Sequence, residues 1–280
     1  MYKLSERLSV IAGYVAPGSR VADIGTDHGY LPRYLLAAGI SPFVVLTDVA
    51  EGPLGKARVN MSRLRPADAA GCSEQPAFVF RLGDGLAPLA AGEVDTVVIA
   101  GLGGELISRI LARDAAHARS FATFILQPRS RGEALRTWLG GNGFRITHED
   151  LAREGKRISE VLVARHAGAA EGTEAGTAES GPEAGVARVR QGEAHGLISS
   201  YCDSEAASSL RSVERAQLQM LAAAGHPLLP EYLEQKMRRE RRILSLSKEG
   251  SPAQARATAR LSALQGLQGT KFQLMHDFSS

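Results

Sequence analysis

Cysteine is nearly absent from this chain, with Cys72 and Cys202 its only examples among 280 residues. They lie far apart and in no CxxC spacing, so neither a disulfide framework nor a zinc site is indicated, and both read as free thiols. No stretch approaches the roughly 18 uninterrupted apolar residues of a membrane span. The opening MYKLSERLSVIAGYVAPGSR alternates apolar and charged residues without the apolar run of a signal peptide. A soluble, cytoplasmic protein is expected. No repeat of fixed period runs through the chain, which excludes a solenoid. What remains is ordinary globular composition, 44% hydrophobic and 22% charged, in a chain long enough to bury a core without covalent staples.

Charge of one sign is not in large excess, since 33 Lys and Arg face 30 Asp and Glu. The balance is segregated, however. Residues 1–165 and 201–280 each carry a net +3, and residues 166–200 carry −3. Six cations fall between Lys236 and Lys248. Such a stripe suits an acidic partner such as nucleic acid, and it is also what a solvated helix face looks like.

Residues 1–165 alternate β-branched runs with helix-period segments, the pattern of a parallel sheet covered on both faces. Strands are expected at Arg20–Ile24, Phe43–Asp48, Ala77–Leu82, Asp95–Ala100 and Thr123–Gln127. Helices are expected at Leu31–Ala38, Pro53–Leu64, Gly104–Arg113 and Gly132–Gly140. GFRITHEDLAREGKRISEVLVARH then reads as an antiparallel hairpin at the sheet edge, turning at Glu154-Gly155. Residues 166–200 are a low-complexity linker, rich in Ala, Gly, Glu, Ser and Thr from 167 to 196. Beyond it, residues 201–280 form a helical domain. Leu210, Val213, Gln217, Met220, Leu221 and Ala224 repeat at three-to-four spacing, as do Leu229, Tyr232, Leu233, Met237, Glu240, Ile243 and Leu244. With GHP at 225–227 between them they predict a helical hairpin with coiled-coil-like packing, followed by a third helix from Pro252 to about Gly266.

The chemistry concentrates in VADIGTDHGYLP at 21–32. A strand ends on Asp23, a glycine turn follows, and a helix starts near Tyr30, which is how Rossmann-like folds present backbone amides to a ligand. The spacing is D-x-G-x-D-x-G and not GxGxxG. Asp23 and Asp27 would repel a pyrophosphate, which speaks against a dinucleotide-dependent oxidoreductase. They suit a cation bearing an amino group and a sulfonium, as S-adenosylmethionine does. Asp48 closes the second strand, where a carboxylate accepts both hydrogen bonds of a ribose diol. Asp84, in RLGDGL, follows the third, placed to accept from an adenine amino group while Gly85 lets the ring lie close to the backbone. Each Asp alone reads equally as a helix cap, but three in register line one crevice. Gly25, Gly101, Leu102 and Gly103 complete the expected cofactor-binding set, and the Asn/Asp-Pro-Pro-aromatic motif common in amino-directed methyltransferases is absent after the fourth strand.

DIGTDHGYLP, TDVAEGPLGKA at 47–57, RLGDGL at 81–86, VVIAGLGGELI at 97–107 and ILQPRS at 125–130 together resemble, in order and spacing, the TrmK-type tRNA (adenine, N1)-methyltransferases. The resemblance covers residues 1–165 by motif and 201–250 by architecture. It implies an α/β, Rossmann-like class I methyltransferase sheet with a C-terminal helical, coiled-coil-like domain. It also implies S-adenosylmethionine-dependent methylation of N1 of adenine 22 in bacterial tRNA, with tRNA as partner and no metal, membrane or obligate protein partner. Leu102 stands where the family usually has Met, a volume-conserving change. Ile158-Ser159-Glu160 keeps only the acid of a Tyr-Glu pair, and the 167–196 insert is longer than expected.

Adenine N1 has an in-plane lone pair, so transfer requires positioning more than proton removal. On this reading Asp27 accepts from the amino edge of the base or faces the emerging charge, and His28 and Tyr30 shape the pocket; His28 reads also as a helix cap. Gln127 and Arg129 meet base and phosphate, unless Pro128 makes this a plain turn. The N1 edge is occluded in folded tRNA, so access implies base opening. Arg238, Arg239, Arg241 and Arg242 are then candidates for gripping phosphates, or ordinary partners of Glu234 and Glu240 along the helix. The alternatives are a methyltransferase acting on a small molecule or protein, and a catalytically silent RNA-binding module.

Overall fold

A computed structural model describes residues 3–64, 77–166, 189–190 and 212–277. Cys72, Cys202 and nearly all of the expected linker lie outside the described residues. The chain divides into two compact units, the first comprising the described residues up to His148 together with 159–166, the second 149–158 with the described residues from 189 onward.

Aliphatic and β-branched runs build the first unit's sheet. β1 (Val21–Ile24) is buried along its whole length between β2 (Val44–Asp48) and β4 (Thr96–Gly103), both parallel to it. β3 (Phe78–Leu82) extends the sheet beyond β2, and β5 (Thr123–Ser130) beyond β4, again in parallel. β6 (Phe144–Glu154) and β7 (Arg157–His166) form a hairpin, with β7 antiparallel to β5. With β8 (Val189–Arg190) the order is β3-β2-β1-β4-β5-β7-β6-β8. The order reverses between β1 and β4, the switch point at which open α/β sheets bind ligands. Helices α1 (Glu6–Gly13), α2 (Tyr30–Ala37), α3 (Glu51–Met61), α4 (Gly104–Arg113), the short α5 (Ala115–Ala118) and α6 (Gly132–Gly141) accompany the sheet. The core holds Val97, Ile99, Ile107, Leu111, Leu126 and Leu135, with Phe121, Phe124 and Phe144 meeting edge to face.

Several boundaries differ from the sequence reading. α1 was not expected; Ser5 caps it by accepting from the Leu8 N–H. β4 and β5 run three residues further, because a bulge after Ala100 lets Leu102 pair with Pro128, and a bulge is where a strand tolerates a residue with no N–H. The hairpin turns at Gly155-Lys156, one residue later than expected, since Gly155 supplies the positive φ of 58°.

In the second unit α7 (Ser212–Ala223), α8 (Leu229–Leu246) and α9 (Pro252–Asp277) pack together, and α8 lies far more extensively along α9 than against α7. The third helix therefore takes the place that the spacing assigned to the first, and it runs beyond Gly266. Leu151 and Ile158 of the hairpin tip join Leu218, Leu221, Leu233, Met237 and Leu264 in one core. Polar groups enter it in pairs. Glu214 takes Lys236 at 2.7 Å and Arg260 at 3.0 Å, and Arg260 also reaches Glu240 at 3.0 Å. His226 Nδ1 accepts from the Leu228 N–H, so its Nε2–H donates to buried Asp150 at 2.8 Å. Among the described residues no helix is long and apolar enough to cross a membrane.

Gly104, at the start of α4, has no room for a side chain, because a Cβ there would stand 2.3 Å from the Arg131 carbonyl oxygen. Gly104→Ala is expected to lower stability by about 1–3 kcal/mol, the usual range for overpacking, measured as a fall in the urea midpoint at unchanged slope.

Candidate active site

The carboxyl end of β1 sets the site. Asp23 stands on the buried strand, where its Oδ2 accepts from the Thr26 hydroxyl at 2.7 Å. The following turn is pinned by Gly25 N–H and Thr26 N–H, which both donate to the Thr47 carbonyl at the end of β2. Burial pushes the Asp23 carboxyl up to about 6; the Thr26 bond and the charge of Arg7 oppose that rise, and the charge of Asp48 adds to it. Asp48 closes β2, one residue beyond the pair Ile24–Thr47, and its Oδ1 accepts from the Ala50 N–H at 3.0 Å. The structure thus brings Asp23 and Asp48 to the same end of adjacent strands, near enough for their charges to interact.

The glycines divide into two kinds. Gly25 and Gly101 have positive φ, 72° and 81°, and a Cβ at either would meet nothing within 4 Å, so both leave the backbone open to a flat ligand. Gly85 also has positive φ, but its Cβ would meet Ile110 at 2.8 Å, which gives this glycine a packing reason. Gly103 lies against Ser130, and Leu102 packs on the core. Asp84 pairs with Arg113 on α4, and both side chains are more than half exposed.

Asp27 adopts a left-handed backbone, φ 46°, which a short polar side chain tolerates and which is common at functional turns. Its exposed carboxylate lies 3.6 Å from His28 Nε2 and 3.6 Å from Lys56 Nζ. The His28 and Tyr30 rings stack, 5.2 Å apart and 11° from parallel.

Gln127, read from the sequence as a substrate contact, is buried. Its Oε1 accepts from the Gly101 N–H and from Arg7 Nη1, each at 3.1 Å, so the side chain braces the end of β4 against α1. Arg129, two residues on, is exposed. Glu160, the acid kept from the Tyr-Glu pair, holds buried Arg136 of α6 at 2.8 Å. Arg7 was missed altogether, although Ser5 just ahead of the apolar positions Leu8, Val10 and Ile11 is an N-cap residue that signals a helix start. In the second unit Arg238, Arg239, Arg241 and Arg242 are all exposed on α8 within about 160° of its circumference. Arg241 meets Glu234 at 2.9 Å, and Arg238 lies 4.0 Å from it, whereas Glu240 faces inward to Arg260.

A sheet whose order reverses beside paired carboxylates and open glycine turns defines a ligand-binding α/β domain, and comparison with known proteins narrows it. The family described as "Methyltransferase domain" matches residues 4–162. The chain belongs to that family. A Bacillus subtilis relative, named tRNA (adenine(22)-N(1))-methyltransferase, is 33% identical over 162 residues, 58% of this chain and 65% of that protein. Among solved structures, the B. subtilis m1A22 tRNA methyltransferase TrmK superposes with a TM-score of 0.65 at 22% identity, covering 95% of this chain and 99% of that one. M. capricolum TrmK, in complex with S-adenosylhomocysteine, gives 0.62 at 18% identity, covering 95% and 97%. These two likenesses establish the Rossmann-like methyltransferase fold.

Asp23 has a folded-state value above its ordinary one, so between about pH 4 and 6 the folded chain holds a proton that the unfolded chain has released. The stability this group contributes is present below that window and is lost as pH rises through 6. Asp23→Asn is therefore expected to stabilise the ligand-free protein at pH 7.5, by up to about 3 kcal/mol, with the gain vanishing towards pH 4. Urea titrations of both proteins across this range measure it.

Proposed function

We propose that this protein transfers the methyl group of S-adenosylmethionine to N1 of adenine 22 in bacterial tRNA. The observation that carries the reading is the juxtaposition of Asp23 and Asp48 at adjacent strand ends beside the open backbone of Gly25 and Gly101. The donor set fits the cofactor's chemistry. A carboxylate at Asp23 attracts a cationic amino acid moiety, Asp48 accepts from a ribose diol, and the two glycines admit flat groups. The methyltransferase-domain match supports methyl transfer, and the name of the B. subtilis relative supports substrate and position.

S-adenosylmethionine supplies an electrophilic methyl on a sulfonium. This chain's residues do the positioning. The strand ends hold the donor, and the brace from Gln127 to the Gly101 N–H keeps the end of β4 in place. Asp27 presents its carboxylate above the turn, where it accepts from the N6 amino group and faces the positive charge that methylation places on the base. His28 and Tyr30 wall the base, and Arg129 meets backbone phosphate. The four exposed arginines of α8 add phosphate contacts that read tRNA by shape.

Incubating the protein with labelled cofactor and unmodified bulk bacterial tRNA, then digesting to nucleosides, is expected to yield 1-methyladenosine, with single-base variants locating position 22. Absence of label despite calorimetric cofactor binding would move the substrate away from tRNA. Replacing Arg238, Arg239, Arg241 and Arg242 together by alanine is expected to weaken tRNA binding at least tenfold at moderate salt and to leave cofactor affinity intact. Unchanged tRNA affinity would show those arginines to be only a solvated face.

A further inference from the structure

Beside the Asp27 turn the first unit carries a groove of about 270 Å³ lined by His28, Tyr30, Lys56, Val59, Asn60 and Arg63. This lies just below the roughly 300–1,000 Å³ of a whole small-molecule site. Its floor is rigid. Asn60, buried, donates to the His28 carbonyl at 3.0 Å and accepts from Arg33 at 3.0 Å, so it ties the end of the turn to α3. Gly29 allows that close approach, since a Cβ there would stand 3.2 Å from Ala57 and Leu46. The walls are of two kinds. Tyr30 and Val59 are large apolar groups left exposed, at 38% and 60%, and Tyr30 is held flat by its stack on His28. Lys56 and Arg63 are exposed cations, and Asp27 is the acid that touches this set, 3.6 Å from Lys56.

An aromatic face, an exposed aliphatic side chain and two cations around one small cavity are what a single unstacked nucleotide requires. Every base has a π-face to lay on a ring, and its phosphate pairs with Lys or Arg. We propose that this groove holds a second nucleotide of the RNA, next to the adenine being methylated, with its base against the Tyr30–Val59 wall and its phosphate between Lys56 and Arg63. The inference rests on the RNA-methylating reading above. It gives Tyr30 a task in addition to walling the reacting base with His28, which is to hold the strand beside that base so that the base stays out of its own stack. It also links the two events. The Lys56–Asp27 pair is exposed and long, so a phosphate displaces it readily. Drawing Lys56 away leaves the Asp27 carboxylate to the amino edge of the reacting adenine.

The full chain should be titrated with fluorescently labelled tRNA transcript by anisotropy, from 50 to 300 mM KCl, in parallel with calorimetry of S-adenosylmethionine. Lys56→Ala/Arg63→Ala is expected to weaken tRNA binding about 5- to 20-fold and to reduce the slope of log K against log salt by about 1, for the one phosphate no longer neutralised. Cofactor affinity should stay within about twofold, which also certifies the fold. Val59→Glu, which places an acid on the exposed wall, should weaken tRNA binding in the same direction. Unchanged tRNA affinity and slope in both variants, with the wild type binding tRNA normally, overturns the subsite alone. A parallel loss of cofactor affinity overturns it too, because the groove would then belong to the cofactor. Failure of the wild type to bind tRNA overturns the subsite together with the RNA reading.

Discussion

A carboxyl group held out of water at the end of β1 is the constraint on which the ligand end of the sheet depends. Left uncompensated, Asp23 would take up a proton and offer no attraction to a cation. Three features limit that tendency. The Thr26 hydroxyl donates to it, the turn that carries Thr26 is tied to the Thr47 carbonyl, and Arg7 lies close enough to lower its pKa. Arg7 also reaches Gln127, which holds the Gly101 N–H, so α1, β1, β4 and β5 share one polar brace. The result is a group poised near neutrality in a medium where charge interactions are strong. A positively charged ligand would draw that pKa down again, and the cost of burying the charge becomes binding selectivity.

The second unit solves a different problem with the same physics. Its core contains charged groups, and each acid there has a partner. Glu214 and Glu240 share Arg260, Lys236 completes the set, and Asp150 takes the proton-bearing nitrogen of His226. Replacing such pairs by apolar residues often raises stability, so their value lies in register. The Arg260 pairing sets α9 against α7 and α8 at one height, and the outward arginines of α8 are thereby fixed in direction. Arg153, doubly bonded to Glu231 at 2.7 and 2.6 Å, ties the hairpin tip to the start of α8 in the same way.

Strand positions were readable because a buried parallel sheet leaves near-continuous aliphatic runs, and all five parallel strands stand where those runs lie. The carboxylates at strand ends were readable for the same reason, since a polar residue closing such a run has few places to go. Residues whose role depends on a distant neighbour were not. Gln127 follows a strand just as a substrate contact would, and only the fold shows it facing Gly101 and Arg7. Gly85 reads as a cofactor glycine, and only the fold adds the packing reason that Ile110 gives it. The inward turn of Glu240 was present in the three-to-four spacing, but its partner, Arg260, lies on a helix whose pairing local periodicity does not determine. α1 escaped because eight residues mixing charged and apolar side chains give a weak period, and the Ser5 cap is a short signal.

The tip of the β6–β7 hairpin crosses the division of the chain. Residues 149–158 belong to the second unit, although the chain on either side of them belongs to the first. Leu151 and Ile158 complete the helical core, and Asp150 is the partner of His226. Neither half is therefore a cassette that shuffling could lift out at a single point. Any exchange that replaced the helices while keeping the sheet would inherit a tip fitted to helices that were no longer there. Variation in this protein's lineage should thus accumulate inside each half, with the tip and its helices changing in concert.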